Sequence, residues 1–255
     1  MSRHPALEAV VFDWGGTLSA WEADPAVYQG WSRDAWRAAA AALSEDAEDE
    51  IARRLLAAEA QLWDEASGGR TSPRLDAMVR QVAEELRLEI GEAALEEAAA
   101  RFGASWMPNI VHDVDAPSVL GELRARGLKI GLLSNTYWPR SLHESLLERD
   151  GLADLIDVRV YSCELERTKP HPEAFGEVLE RLGVSDPAAA VFVGDRPFDD
   201  IYGAKNAGMR AVLRPTPAPA EHVVEPDGVI EDLPGLLTLI DAWSRTDTSG
   251  PLGPE

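Results

Sequence analysis

The stretch AVVFDWGGTL, residues 9–18, joins an uninterrupted apolar run to a carboxylate and a pair of glycines. A short apolar run bounded by turn-forming residues is typical of a strand buried on both faces of a parallel sheet. We therefore predict a strand over residues 9–12 that ends directly before Asp13. In open α/β sheets, ligands bind at the carboxyl ends of the strands. Asp13 is thus the first candidate functional residue.

The chain on either side of this stretch divides into a helical block and an alternating block. Residues 20–108 are rich in Ala, Glu, Leu and Arg at helical spacing, which predicts helices and no strand there. After Pro108, apolar strands alternate with helices, which predicts a parallel sheet covered on both faces. The predicted helices are 32–43, 45–66, 74–87, 91–102, 117–126, 139–149, 172–182, 198–207 and 233–243, and the predicted strands are 9–12, 129–134, 158–162, 190–194 and 210–213.

These elements predict the α/β fold class, a doubly wound parallel sheet with an inserted α-helical cap. The core is expected over residues 1–19 and 109–243, the cap over 20–108, and a flexible tail over 244–255. The first strand is thereby separated from the rest of its sheet by roughly ninety residues. Such an arrangement places the cap next to whatever binds at the strand ends.

Polar side chains follow the other predicted strands. Ser134 ends the second strand, Lys169 lies in the segment after the third, and Asp195 follows the fourth. One aspartate at a strand end is often only a helix cap. Two carboxylates, a hydroxyl and an ammonium at four strand ends instead predict one shared site. Asp199 fits an N-cap of the next helix as well as a role in that site.

These motifs together resemble those of the haloacid dehalogenase-like (HAD) hydrolase superfamily, over nearly the whole chain. The residues that carry the resemblance are Asp13 through Thr17, Ser134, Lys169, Gly194-Asp195, Asp199-Asp200, Gly203-Ala204 and Ala207-Gly208. The insertion after the first motif is similar to a helical cap of the C1 type. The resemblance implies a hydrolase and, most directly, a cytoplasmic phosphatase that acts on a small phosphorylated metabolite.

The resemblance also implies a Mg²⁺ cofactor. Asp13 and Asp195 would bind the metal through their carboxylates, and Gly15 through its backbone carbonyl. Asp199 and Asp200 would lie behind these ligands and orient the metal's water molecules or Lys169. A glycine suffices at position 15 because a carbonyl ligand needs no side chain.

The remaining implied roles concern the phosphoryl group. Asp13 would attack it and form an aspartyl-phosphate. Lys169 would pair with Asp13 and stabilise charge in the transition state. Thr17, Ser134 and Asn135 would bind the phosphoryl oxygens.

Gly15 departs from the family's phosphatase pattern, which usually has there a second aspartate that protonates the leaving group. General acid–base help is worth ~10²–10⁴-fold. Either the substrates have good leaving groups (acyl, aryl or anomeric sugar phosphates), or the cap supplies a replacement such as Glu22 or Asp24, or the chain is a weakly active or inactive relative that serves as a binding module. A metal-independent 2-haloacid dehalogenase is a further alternative, in which the position of Gly15 is typically aromatic; here Trp14 is one residue away.

Composition limits the partners. The 24 basic and 45 acidic residues give a formal charge of −21, which disfavours nucleic acid and anionic membranes as partners. The single cysteine, Cys163, fits a reducing compartment, and the sequence has neither a signal-peptide core nor a run of ~18 apolar residues. We expect a cytoplasmic protein with a small phosphorylated substrate, either monomer or homodimer. Tryptophans such as Trp14, Trp21, Trp31 and Trp106 are expected to pack the cap or line an apolar pocket.

Overall fold

The strands of the protein form one parallel sheet. The computed structural model describes residues 5–20, 24–66, 74–216 and 224–248. Within them the strands are β1 Ala9–Phe12, β2 Lys129–Ser134, β3 Val158–Tyr161, β4 Ala190–Gly194, β5 Arg210–Leu213 and β6 Gly228–Val229. They are ordered β3-β2-β1-β4-β5-β6 and every neighbouring pair is parallel. The predicted doubly wound α/β core is confirmed.

The helices fall into two groups along the chain. Between β1 and β2 lie α1 Pro25–Leu43, α2 Glu48–Ala66, α3 Leu75–Glu85 and α4 Glu92–Trp106, with no strand among the residues described there. The remaining helices alternate with the strands: α5 Ala116–Ala125, α6 Arg140–Arg149, α7 Pro172–Leu182, α8 Gly203–Asn206 and α9 Leu233–Thr248. We refer to α1–α4 as the helical insertion. No helix among the described residues has both the length and the apolar character that a bilayer span requires.

The central position of β1 brings the candidate residues to one edge of the sheet. Phe12 is level with Leu132 of β2 on one side and with Val193 of β4 on the other. The Asp13 N–H continues this register and donates to the Val193 carbonyl at 2.9 Å. Asp13 and Asp195 therefore leave adjacent strands at almost the same height. At β1, the order in which successive strands are added to the sheet switches from one side to the other. Open α/β sheets bind ligands at such a switch point.

The ends of several elements differ from their predicted positions. Helix α1 begins seven residues earlier than predicted because Asp24 caps it, accepting from the Ala26 N–H at 2.8 Å. The predicted helix 198–207 begins with a π-helical turn, Pro197–Tyr202, before α8. Helix α9 continues to Thr248, so residues 244–248 lie in a helix and not in the predicted tail. Strand β6 was not predicted because a strand of two residues is too short to show an alternation of apolar and polar side chains.

A single buried apolar cluster joins the helical insertion to one face of the sheet. It includes Phe12 of β1, Trp36 of α1, Phe102 of α4 and Trp138, which follows β2. The rings of Trp36 and Phe102 are 4.5 Å apart, and those of Phe102 and Trp138 are 6.2 Å apart. Val11 points to the opposite face, where α7 packs on a second cluster. The insertion is therefore held to the sheet by continuous apolar packing.

The two segments that connect the insertion to the sheet are also held to each other. They pair in antiparallel fashion at Ser19 and His112. Arg214, after β5, bonds both segments, donating to the Thr17 carbonyl and to the Asp113 carboxylate at 2.5 Å each. This crossing lies directly behind the loop that follows Asp13, so it fixes where that loop meets the insertion.

Candidate active site

Lys169 lies between two carboxylates at the carboxyl edge of the sheet. Its ammonium donates to Asp13 Oδ1 at 2.6 Å and to Asp200 Oδ1 at 2.7 Å, and the side chain is 1% exposed. Burial alone lowers the pKa of Lys169, but the charges of Asp13 and Asp200 outweigh it and raise the pKa overall. The lysine is therefore a permanent cation in a place without water.

Three carboxylates share this site. One oxygen from each of Asp13, Asp195 and Asp200 lies within 4.8 Å of the others, and all three residues are buried. Burial raises the pKa of Asp13 to about 6, with Lys169 opposing the shift. Burial, then the charges of Asp13 and Asp200, raise the pKa of Asp195 to about 8. Three carboxylates and one ammonium carry a net charge of −2 when ionised, which a divalent cation would balance.

The donor set at this cluster fits Mg²⁺. The Asp195 Oδ1 atom is buried and has no hydrogen-bond partner among the described residues, so it is available to a ligand. The Gly15 carbonyl takes no part in the hydrogen bonds of the short bridge between Gly15 and Ser19. Those bonds run from the Gly16 N–H to the Ser19 carbonyl and from the Ser19 N–H to the Trp14 carbonyl. Mg²⁺ binds through carboxylate and carbonyl oxygens of this kind. Asp13, Asp195 and Gly15 could thus hold the metal.

The position of Asp200 depends on a glycine. A Cβ atom on Gly194 would lie 2.4 Å from the Asp200 carboxyl carbon, so only glycine lets the carboxylate come this close to β4. The second oxygen of Asp200 accepts from the Arg196 N–H at 2.9 Å. Asp200 is consequently held at both oxygens, one by Arg196 and one by Lys169. It positions the lysine beside Asp13.

Of the predicted phosphate-binding residues, Ser134 lines the cavity and Thr17 is buried in the loop that follows Asp13. Thr17 is fully buried, and its Oγ1 has no hydrogen-bond partner among the described residues. Ser134 is 3% exposed and lines the same cavity as Asp13. The Asn135 side chain already has two hydrogen-bond partners in the structure. Its Nδ2 donates to the Lys169 carbonyl at 2.9 Å and its Oδ1 accepts from the Lys169 N–H at 3.0 Å, so it supports the lysine's backbone.

Asp199 lies in the cavity wall and does not cap a helix. It sits inside the π-helical turn, and its carboxylate is 3.4 Å from Arg196 Nη1. Burial, followed by the charge of Asp200, raises the pKa of Asp199. The N-cap alternative is therefore excluded, since the turn begins at Pro197, two residues before Asp199.

Aromatic side chains form a large part of the cavity wall above Asp13. The cavity is lined by Trp14, Tyr28, Trp31, Trp106, Tyr137 and Trp138 in addition to the polar residues already described. Tyr28, Trp31 and Trp106 come from the helical insertion, and the others follow β1 and β2. Trp14, Trp31 and Trp106 were singled out from the sequence, whereas Tyr137 and Trp138 were not. Trp21 lies outside the described residues.

Several residues that the sequence did not single out hold these rings. The Trp14 indole N–H donates to His112 Nε2 at 2.9 Å, and His112 Nδ1 contacts an Asp150 oxygen at 2.6 Å. Burial lowers the pKa of His112, although Asp150 opposes the shift. The Tyr137 hydroxyl donates to Glu59 of α2 at 2.6 Å. These partners lie 98, 38 and 78 residues apart in sequence, so no motif or spacing could have revealed them.

The two residues proposed as replacements for the missing acid, Asp24 and Glu22, and two nearby histidines differ in outcome. Asp24 is exposed and caps α1, which gives its carboxylate another partner. Glu22 lies outside the described residues. His143 lines the cavity, but burial lowers its pKa to about 3, so its ring is neutral. His171 caps α7 through its Nδ1, away from the cavity. Of the three that the structure describes, none supplies an evident proton at the position of Gly15.

Known proteins are similar to this chain in sequence and in fold. A family model described as haloacid dehalogenase-like hydrolase matches residues 7–208. The chain belongs to this family. In sequence, the HAD-like hydrolase is 36% identical to phosphatase MT3486 of Mycobacterium tuberculosis over 154 residues. The matched segment covers 60% of this chain and 66% of that protein. The chain thus spans just under two thirds of that relative's length, and about half of the next relatives.

Solved structures of the family carry two different reactions on this fold. A HAD phosphatase from Thermococcus onnurineus matches with 27% identity and a TM-score of 0.61, over 92% of this chain and 98% of that one. A 2-haloacid dehalogenase from Pseudomonas syringae pv. Tomato DC3000 matches with 27% identity and a TM-score of 0.66, over 93% of this chain and 99% of that one. The chain is therefore a HAD-like hydrolase, and the choice between these reactions depends on the site.

Proposed function

We propose that this HAD-like hydrolase is a Mg²⁺-dependent phosphatase that hydrolyses a small phosphorylated metabolite through Asp13. The observation that carries the proposal is the buried cluster of Asp13, Asp195 and Asp200 around a single lysine. Such a concentration of like charge is costly without a cation. A reaction that needs no metal gives no reason for it.

The proposed first step is attack by a carboxylate oxygen of Asp13 on phosphorus. The bond to the leaving oxygen breaks, and the leaving group departs with the electron pair. Water then hydrolyses the aspartyl-phosphate and releases inorganic phosphate. Mg²⁺, when bound by Asp13, Asp195 and the Gly15 carbonyl, supplies positive charge for the phosphoryl oxygens.

The chain's own residues perform the rest of this proposal. Lys169 holds Asp13 in place and offers its charge to the transition state. Thr17 and Ser134 offer hydroxyls to the phosphoryl oxygens, and Asn135 acts through Lys169. Asp200 fixes the lysine, and Asp199 stands beside Arg196 at the cavity wall. The helical insertion between residues 20 and 108 is proposed as the cap that closes the cavity.

The name of the M. tuberculosis relative supports a phosphatase, and the carboxylate cluster supports the metal. The dehalogenase remains the second candidate because the cavity wall is aromatic and the P. syringae dehalogenase is similar in structure. A haloacid fits an apolar pocket, but its reaction leaves the buried Asp195 Oδ1 without a partner and the three carboxylates with Lys169 as their one bonded side-chain cation among the described residues.

The test is an assay of the full chain with p-nitrophenyl phosphate. We expect phosphate release with Mg²⁺, loss of activity in EDTA and recovery when Mg²⁺ is added back. Asp13→Asn should lower kcat by at least ~10³-fold, since it removes the nucleophile, whereas Gly15→Asp should retain metal-dependent turnover. Undiminished activity in Asp13→Asn would overturn the assignment. Chloride release from 2-chloropropionate in EDTA would establish the dehalogenase instead, and inactivity on both substrates would favour a binding module.

A further inference from the structure

The aromatic wall of the cavity runs without a break from the nucleophile to solvent. Trp14 directly follows Asp13, and its ring lies 5.9 Å from Trp138. Trp138 is 5.1 Å from Trp106, and Trp106 is 5.2 Å from Tyr28 and 6.3 Å from Trp31. Tyr28 and Trp31 are half-buried and form the outer end of this series. A substrate that reaches Asp13 through the cavity would contact rings along its path.

The polar atoms of several of these rings are already engaged. The Trp14 indole N–H is bonded to His112, and the Tyr137 hydroxyl is bonded to Glu59. The Trp138 backbone N–H donates to Thr136 Oγ1 at 3.0 Å. The Trp106 indole N–H has no hydrogen-bond partner among the described residues, and the rest of what these rings offer a substrate is mainly ring carbon. A sugar placed there would lose water from its hydroxyls without equivalent partners, which costs free energy for each unmet group.

Among the residues that the structure describes around Asp13, none stands in place of the aspartate that the family's phosphatases usually carry at position 15, and the one cavity carboxyl with a raised pKa outside the metal cluster, Asp199, lies against Arg196. Gly15 has no side chain, and the Asn109 amide already donates to the Ser105 carbonyl at 3.0 Å. Lys169 is held by two carboxylates, and the His143 ring is neutral at ordinary pH. Without an aspartate at position 15, the site favours a leaving group that departs as an anion stable by itself. A phenol ionises near pH 10, as the tyrosine side chain does, and alkyl alcohols ionise at far higher pH.

We propose that the ring-lined cavity binds the aromatic leaving group of an aryl phosphate monoester. The inference rests on the proposed phosphatase function and adds its substrate class. In the reaction, Asp13 forms a bond to phosphorus, the bond from phosphorus to the aryl oxygen breaks, and the aryloxide takes a proton from water after it departs. The rings of Trp138, Trp106 and Trp31 hold the aromatic group by edge and face contacts.

The experiment uses two pairs of phosphate monoesters with the full chain and Mg²⁺. Phenyl and cyclohexyl phosphate differ in both ring type and leaving-group acidity, so kcat/KM should favour phenyl phosphate by at least ~10²-fold. Benzyl and cyclohexylmethyl phosphate both release alkoxides, so their comparison isolates recognition of the ring. We expect a KM for benzyl phosphate about tenfold lower. Equal KM values for this second pair would overturn the proposal.

A binding measurement separates this inference from the proposed function. Phenylphosphonate and cyclohexylphosphonate cannot be hydrolysed, and calorimetry with Mg²⁺ should show about tenfold tighter binding of the phenyl compound. Phosphatase activity with equal binding of the two phosphonates would reject the aromatic pocket and keep the phosphatase. Preference for phenylphosphonate without turnover of any ester would reject the phosphatase and, with it, the aryl phosphate substrate.

Two tryptophan variants locate the effect. Trp31→Leu removes a half-buried ring at the outer end of the cavity and should raise KM for phenyl phosphate about fivefold, with a smaller change for cyclohexyl phosphate. Trp243→Leu is the matched control, because this half-buried ring lies on α9 against Arg210, far from the cavity. Equal responses of the two variants would show that the Trp31 ring serves packing only and would contradict the proposal.

Discussion

Lys169 holds its ammonium between two carboxylates, at 2.6 and 2.7 Å, where its side chain is 1% exposed. Removing one partner of a buried ion pair leaves the other charges uncompensated. Here Asp13 and Asp200 would lose the cation that bonds them both in the metal-free protein, with the Asp195 carboxylate close by. The lysine therefore stabilises the fold and the site together.

We expect Lys169→Met to lower the free energy of unfolding by about 3–5 kcal/mol in EDTA and to abolish phosphatase activity. Lys205→Met is the matched control, since Lys205 pairs with Asp227 at 2.7 Å but its side chain is 36% exposed. Such exposed pairs contribute about 0–1 kcal/mol. Urea unfolding measures both variants. An equal loss in the two would show that the buried pair contributes no more than the surface pair.

The contact between Gly194 and Asp200 gives a second test of the same charges. A Cβ at Gly194 would meet the Asp200 carboxylate at 2.4 Å, so Gly194→Ala must push that carboxylate away from Lys169. We expect a loss of about 1–3 kcal/mol and a marked fall in kcat. Gly176→Ala controls for the added methyl group, because nothing lies within 4 Å of that position in α7 and alanine favours the helix by about 0.5–1 kcal/mol. Full activity in Gly194→Ala would contradict the role of Asp200.

The sequence predicted the site well where a residue's position follows from a strand end. Asp13, Ser134 and Asp195 needed only a parallel sheet to be brought together. The side-chain partners of Asn135 and His112 could not be predicted, because each partner lies on an element far away in the chain. Two residues on distant elements have no characteristic sequence separation that would predict a hydrogen bond between them.

The connection between the insertion and the sheet depends on the neutral form of His112. Its Nε2 accepts from the Trp14 indole, and Nδ1 contacts Asp150, which Arg149 also bonds. A proton on Nε2 would place two donors against each other. Because burial lowers the pKa of His112, the unfolded chain takes up this proton first as the pH falls. The stability that the neutral ring contributes is therefore lost as the pH falls through about 6.5.

We accordingly expect His112→Gln to cost about 1–2 kcal/mol of stability at pH 8 and progressively less towards pH 5. The measurement is the difference in unfolding free energy between the natural protein and the variant as a function of pH. His171→Gln serves as the control for loss of an imidazole, because that ring is 34% exposed and lies at the start of α7. A difference that stays constant from pH 8 to pH 5 would rule out the titration of His112.

Elements were predicted best where an apolar run is continuous. The bounds of β1, β2, β4 and β5 match their predicted residues because all four are buried from one end to the other or nearly so. The π-helical turn Pro197–Tyr202 was not predicted because its backbone geometry goes together with the hydrogen bonds that Asp200 makes to Arg196 and Lys169. Those contacts exist only in the folded protein.

The charge of −21 affects the molecule as a whole as well as its site. An acidic protein favours cations and disfavours anions at long range, but at ordinary ionic strength this field is screened within ~8–10 Å. Binding of the proposed phosphorylated substrate would therefore be governed by the nearby charges of Lys169, Arg196 and the proposed Mg²⁺.

Thermal unfolding of the whole chain tests whether the protein binds a metal. Since the pKa of Asp195 is raised to about 8, the folded protein holds a proton that the unfolded chain releases near pH 4, and the metal-free protein should lose stability as the pH rises between these values. At pH 8, Mg²⁺ at about 100 times its Kd should then raise Tm by roughly 5–10 °C. Asp195→Asn should melt higher than the natural protein in EDTA and gain little from Mg²⁺. An equal gain in both would remove Asp195 from the metal site.

The apolar cluster that runs from Phe12 through Trp36 and Phe102 to Trp138 bears on how such proteins can be recombined. An insertion with a core of its own could be exchanged between relatives like a cassette. Here Tyr137 and Trp138 belong to the sheet's side of the chain, yet Tyr137 bonds Glu59 and Trp138 packs on Phe102 and Trp106. A chimera that takes helices α1–α4 from this chain must take its Tyr137-Trp138 pair as well, because the helices would otherwise arrive with half of their aromatic packing missing.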